Sequence, residues 1–102
     1  MNLKVRLLRE GAKLPKRATE GSVGYDLCAC LEEALLLPPG ETRVIPTGLA
    51  IDPGEGVGAF VFARSGLAIR HNVVPANAVG VIDPDYRGEV LVGLINQGKE
   101  PY

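Results

Sequence analysis

Glycine and proline cut this chain into short apolar runs, and that punctuation limits what it can fold into more than any other feature. The sequence holds 13 glycines and 8 prolines. That is too many breakers for long helices, yet below the level of a low-complexity chain. No extended amphipathic helical repeat appears. Short apolar runs bounded by turn residues are the pattern of an all-β sandwich or barrel. With 46% apolar residues, residues 1–102 hold enough material for the core of one domain.

The runs place about eight strands. Leu3–Leu8 alternates Leu3, Val5 and Leu7 against Lys4 and Arg6. A polar loop follows over residues 9–24. Tyr25–Cys30 and Leu35–Leu37 read as short strands, the second closed by Pro38-Pro39-Gly40. Glu41–Pro46 and Leu49–Ile51 flank a Thr47-Gly48 bend, and Pro53–Gly58 is a turn. Ala59–Ala63 is apolar enough for a central strand. Ser65–His71 is the one helix-like segment, with Ser65 as its N-cap. Val73–Pro75, Val79–Ile82 and Glu89–Asn96 resume strand character.

A net charge of −1 gives no reason to expect nucleic acid or an anionic membrane as partner. Lys4, Arg6, Arg9, Lys13, Lys16 and Arg17 make the first 20 residues locally basic, which reads as a solvated face. No apolar run approaches membrane-spanning length, and Lys4 and Arg6 interrupt the only early one, so no signal peptide is expected. A soluble cytoplasmic protein is the expectation. The two cysteines, Cys28 and Cys30, sit too close in sequence for an unstrained disulfide within a strand. With His71 distant, they make no zinc site, and both read as small buried hydrophobes.

Three segments carry more chemistry than their structural roles require. Asn77–Glu89 sets two carboxylates, a phenol and a guanidinium around a tight turn between two apolar runs. Asp83-Pro84 suits the first two positions of a type I turn, and the flanking runs predict a hairpin. On turn chemistry alone Asp83 reads as structural. Arg64-Ser65-Gly66 opens the short helix, where free N–H groups favour phosphate and an arginine adds a bidentate grip. Taken alone it reads as an ordinary capped helix start. Gly24-Tyr25-Asp26-Leu27 places a carboxylate at a strand edge, able to hold a cation through water or simply to bond its own loop.

Taken in order, Gly24-Tyr25-Asp26-Leu27, Arg64-Ser65-Gly66-Leu67-Ala68 and Asn77–Gly88 closely resemble the first three signature motifs of the trimeric dUTP diphosphatases (dUTPases). The resemblance runs from about Leu3 to the end, and the third motif is the most specific. It implies an all-β, jelly-roll-like barrel with one short helix, assembled as a homotrimer with active sites at subunit contacts. The implied reaction is hydrolysis of dUTP to dUMP and pyrophosphate with Mg²⁺, which limits uracil in DNA. By motif position Asp83 would activate the attacking water. Tyr86 would pack on the deoxyribose and exclude a 2′-hydroxyl. Asn77 and the backbone through Gly80, Val81 and Ile82 would read uracil. Arg64, Ser65 and Gly66 would bind phosphates, and Asp26 would place the metal through water. A carboxylate between Ile82 and Pro84 is expected to be partly desolvated, which would strengthen it as a base. Asp85, at the turn apex, is expected to be solvated or structural.

The same resemblance implies a fourth motif on a further strand and a glycine-rich arm that closes over the phosphates. Neither is found before Tyr102. A truncated chain is therefore expected, with an open sheet edge, an altered trimer and a weakened grip on the β- and γ-phosphates. Two alternatives stand beside the diphosphatase. One is an enzyme related to dCTP deaminase, disfavoured by Tyr86 and by Ser-Gly-Leu-Ala after Arg64. The other is a nucleotide-binding or assembly module with little activity.

Overall fold

In a computed structural model that describes residues 2–102, the short runs pair into three small antiparallel sheets. The strands are β1 (Lys4–Leu7), β2 (Thr42–Pro46), β3 (Leu49–Asp52), β4 (Ala59–Val61), β5 (Val73–Pro75), β6 (Gly80–Ile82) and β7 (Leu91–Asn96). One helix, α1 (Ser65–His71), lies between β4 and β5. β1 pairs with β3, β4 with β6, and β7 runs between β2 and β5. The all-β class and the single helix agree with the sequence.

The core gathers where these small sheets meet. Leu37, Ile45, Leu49, Ile51, Val73 and Val90 are its buried apolar side chains. Two buried polar residues tie it. Asn96 is fully buried, and its amide donates to the Leu37 and Glu100 carbonyls at 2.9 and 2.8 Å while its Oδ1 accepts from the Gly98 N–H at 2.8 Å. Such complete satisfaction is what makes a buried amide tolerable. Thr47 donates its hydroxyl to the Val90 carbonyl at 2.7 Å and accepts from the Leu49 N–H at 3.2 Å. Next to it Gly48 takes φ +70°, and a Cβ there would stand 2.8 Å from the Ala12 Cβ and 3.1 Å from the Cys30 Sγ. Only glycine fits that bend.

Several expectations are corrected. Tyr25–Cys30 is not a strand; only an isolated bridge joins Lys16 to Asp26. Leu35–Leu37 is not one either, although Leu37 exchanges both backbone hydrogen bonds with Tyr102 at 2.7 and 3.0 Å. Strand-forming residues need a partner strand and a face to bury, and Leu35 and Leu36 have neither. Consequently Cys28 is exposed and Cys30 only half-buried, not core hydrophobes. Ala59–Ala63 is no central strand: β4 pairs with β6 alone, and Phe60 and Phe62 are exposed. The N-cap is Arg64, extended at φ −87° and ψ 132°, without a side-chain cap bond, and Ser65 is the first helical residue.

The largest correction concerns the Asp83 turn. It is not a hairpin, because β6 and β7 belong to different sheets. Backbone bonds explain the divergence. Val90 donates to the Leu49 carbonyl at 2.8 Å and accepts from the Thr47 N–H at 3.3 Å. The chain beyond the turn is thereby drawn to the Thr47–Leu49 bend and away from β6.

The molecule exposes 7318 Å² of surface, whereas a closed monomer of its mass would expose about 5,500 Å². Val23, Phe62, Val44, Val81 and Ile69 are among its exposed apolar side chains. That excess marks a surface suited to burial against other polypeptide.

Candidate active site

The parting of β6 from β7 opens the cavity that a hairpin would have closed. It measures about 210 Å³. One wall is Asn77 with Gly80, Val81 and Ile82; the other is Val90 to Gly93 at the start of β7; Val61 and Pro75 also line it. Asp83, Tyr86 and Glu89 complete the lining from the connection between the walls.

Between Asn77 and Gly80 the backbone takes an unusual path. Ala78 adopts φ +66°, a left-handed conformation uncommon for a residue with a side chain. Around it the Val79 N–H donates to the Asn77 carbonyl at 2.7 Å, and the Ala78 N–H donates to the Pro75 carbonyl at 3.1 Å. Strain of this kind persists where surrounding contacts hold it and clusters at ligand sites.

The Asp83 turn closes as its sequence predicts, with the Tyr86 N–H donating to the Asp83 carbonyl at 3.1 Å. Arg87 locks it. Its guanidinium donates to the Pro84 carbonyl at 2.6 Å and the Tyr86 carbonyl at 3.1 Å, and pairs with Asp52 at 3.2 Å. The Tyr86 hydroxyl donates to the Glu89 carbonyl at 2.7 Å. The Asp83 residue is exposed, so the partial desolvation expected from Ile82 and Pro84 is not found in the single chain. Asp85 is exposed as well.

Of the residues singled out in the sequence, Asn77, Gly80, Val81, Ile82, Asp83 and Tyr86 converge on one cavity. Arg64, Ser65, Gly66 and Asp26 do not line it. They form a second cluster, in which the Arg64 Nε stands 3.7 Å from the Asp26 Oδ1. Both partners are substantially exposed. Among the described residues no group of three or more His, Cys, Asp or Glu side chains could hold a metal by itself.

Sequence reasoning missed Glu89 and Arg9. Glu89 looked like a strand start, but its carboxylate accepts from two Arg9 nitrogens at 3.0 and 2.6 Å and from the Gly48 N–H at 2.9 Å. The Arg9 bonds, with Gly48 second, hold the Glu89 carboxyl below its ordinary value. The partners are 80 positions apart, so no local signal reveals the pair.

The dUTPase family model matches residues 10–102. The chain belongs to the dUTPase family. It is 60% identical over 91 residues to the deoxyuridine 5′-triphosphate nucleotidohydrolase of Desulfitobacterium hafniense, covering 88% of this chain and 60% of that protein. The corresponding protein of Paraburkholderia phytofirmans is 47% identical over 103 residues, covering 100% of this chain and 70% of that one. Among solved structures, a variant dUTPase from phage phi11 of S. aureus superposes with a TM-score of 0.85 at 33% identity, over 95% of this chain and 61% of its own. That structure is described for the coordination of a structural Mg(II) ion. The chain thus spans about 60% of the length of the first of these dUTPases. The cavity and the Arg64–Asp26 cluster both lie inside the matched residues.

Proposed function

We propose that this dUTPase-family chain hydrolyses dUTP to dUMP and pyrophosphate, with Asp83 activating the attacking water. The observation that carries this reading is the convergence of the Asp83 and Tyr86 residues with the Asn77–Ile82 backbone on one cavity. A nucleoside needs those three functions together: hydrogen-bonding groups for a base, a flat ring for a sugar, and a carboxylate near the reacting phosphate.

Asn77 and the backbone of Gly80, Val81 and Ile82 line the space for uracil. A wall of fixed backbone leaves little latitude for a 5-methyl group. Tyr86 stacks on the deoxyribose and excludes a 2′-hydroxyl by crowding, which requires a ring that does not move away. Arg64, Ser65 and Gly66 take the phosphates from the start of α1. The Asp83 carboxylate accepts a proton from water as the water oxygen attacks phosphorus. The phosphoanhydride bond to the leaving pyrophosphate breaks, and the pyrophosphate takes that electron pair. Positioning and charge neutralisation supply most of the catalysis in such a transfer.

The residues fit a Mg²⁺ held chiefly by substrate. Asp26 offers an exposed carboxylate beside Arg64, and Mg²⁺ retains several waters while taking one or two carboxylates and phosphate oxygens. When bound, the ion would neutralise triphosphate charge and orient the leaving group. Two free thiols suit a reducing, cytoplasmic setting.

The excess exposed surface supports assembly, and the homotrimer is the form we propose. In it, exposed apolar residues such as Phe60, Phe62 and Val81 would be covered. Closure by a neighbouring chain would also desolvate Asp83, which the single chain leaves in water. The test is pyrophosphate release from dUTP with Mg²⁺, with light scattering on the same sample. Release from dUTP and a trimeric mass are expected. Uracil nucleotide formed from dCTP would place the chain with the deaminases, and nucleotide binding without release would make it a binding module.

A further inference from the structure

The Tyr86 ring is held from behind by a chain of contacts that reaches the N-terminal segment. Its hydroxyl donates to the Glu89 carbonyl at 2.7 Å. A Cβ on Gly88 would fall 2.6 Å from that hydroxyl oxygen and 2.8 Å from the ring Cζ. The pose of the ring is therefore set by where the Gly88–Glu89 backbone runs. That backbone is held from Val90, bonded to Thr47 and Leu49, and through the Glu89 side chain. Its Oε1 and Oε2 accept from the two terminal nitrogens of Arg9, and Oε2 also accepts from the Gly48 N–H.

An exposed ion pair ordinarily fixes little, because two long side chains give way to water. This one differs in two respects. It is bidentate, so the planar fork sets orientation as well as distance. It also includes a donor that cannot move: Gly48 is buried, closely packed by Ala12 and Cys30, and its carbonyl accepts from the Leu8 N–H at 2.7 Å. The Glu89 side chain retains only 22% exposure.

We propose that Glu89, clamped by Arg9 and the Gly48 N–H, is a positioning residue for Tyr86 and thereby governs discrimination between deoxyribose and ribose nucleotides. The selectivity half of this rests on the cavity being a uridine nucleotide site. The anchoring half rests on the geometry alone. Glu89 touches no reacting atom; it acts through the ring it holds.

The test uses Glu89→Ala, Glu89→Gln, Arg9→Ala and Arg9→Lys in the 102-residue chain, read in two ways. Tyr86 ring resonances are followed by carbon-edited NMR without ligand, and dUMP and UMP affinities by calorimetry. Glu89→Ala and Arg9→Ala are expected to move the Tyr86 signals while those of Tyr25 stay in place. They should also lower the dUMP-over-UMP preference about fivefold, the scale of one lost hydrogen-bonded contact. Arg9→Lys should recover part of the preference, because it keeps the charge without the fork. Glu89→Gln should fall between, since its amide oxygen still accepts from Gly48; it also serves if the alanine variants fail to fold. Variants that melt earlier but keep both the Tyr86 signals and the preference would reduce the clamp to an ordinary ion pair and overturn the proposal. If the parent chain bound neither nucleotide, the uridine reading and the selectivity half would fall together. The NMR arm would then decide the anchoring half by itself.

Discussion

The cavity and the Arg64–Asp26 cluster are built on opposite plans. Around the cavity, backbone is committed: β6 is paired, the Asp83 turn is closed by its own hydrogen bond and by Arg87, and Val90 is bonded on both sides. The Arg64–Asp26 side has one loose ion pair at 3.7 Å and a helix with no buried residue. Exposed pairs of that kind contribute about 0–1 kcal/mol. On the proposed reading the first region selects shape, because its walls must stay put. The second would handle charge, where a triphosphate and its cation bring their own organisation.

The sharpest way to break that division is Asp83→Asn. It removes the proposed base from the rigid region while leaving the walls. Turnover of dUTP should fall by roughly 10²–10⁴-fold, the usual range for a lost general base, while dUMP affinity measured by calorimetry stays close to that of the parent. Undiminished turnover would remove Asp83 from the mechanism.

Next in size is Gly88→Ala. The added Cβ would lie 2.6 Å from the Tyr86 hydroxyl oxygen, so the ring must move or the backbone must shift. The expected cost is about 1–3 kcal/mol in denaturant unfolding, typical of overpacking, together with a lower dUMP-over-UMP preference. If stability falls and the preference does not, the ring is not what reads the sugar. Gly66→Ala is the matching change in the open region. Outside its own helix and chain neighbours nothing lies within 4 Å of the added Cβ, so unfolding should show no loss of stability and at most the small gain of alanine over glycine in a helix.

Arg64→Ala probes the charge side directly. Affinity for a non-hydrolysable dUTP analogue should drop by about tenfold, whereas dUMP affinity should change by less than about twofold. Equal losses for both ligands would show that the two regions are not divided as described.

The sequence carried the parts of this division that are local. Asp83-Pro84 specified its turn because proline constrains both itself and its predecessor, and Ser65–His71 specified its helix. The motif residues Asn77 to Tyr86 converge because they are nearly contiguous. What was not legible depends on pairing across the chain. The Asp83 turn resembled a hairpin because its flanking runs are both strand formers, yet partner choice was decided by Val90 meeting Thr47 and Leu49. Tyr25–Cys30 had strand composition but no neighbour to pair with. Arg9 and Glu89 carry no mutual signal in one dimension, since any exposed arginine and glutamate look alike until the fold joins them. Ala59–Ala63, with Phe60 and Phe62, read as a central strand because apolarity favours burial without saying whether one chain or several provide it.

The smallest effect concerns the clamp between these levels, and it is a matter of pH. Bonds from Arg9 and Gly48 hold the Glu89 carboxyl below its ordinary value of 4.5. A carboxyl depressed in the folded state binds its proton more readily when unfolded. Its stabilising contribution is therefore complete above about pH 5.5 and is lost as pH falls through the folded-state value. The melting-temperature gap between the parent and Glu89→Gln should be constant at neutral pH and narrow below pH 4.5. Salt should also narrow the gap, because it screens the Arg9 charge, whereas a bond from the Gly48 N–H is open to both side chains. A gap unchanged between acid and neutral pH would mean that Glu89 is held by shape and not by charge. The rigid region would then owe nothing to the arginine that reaches it from the N-terminal segment.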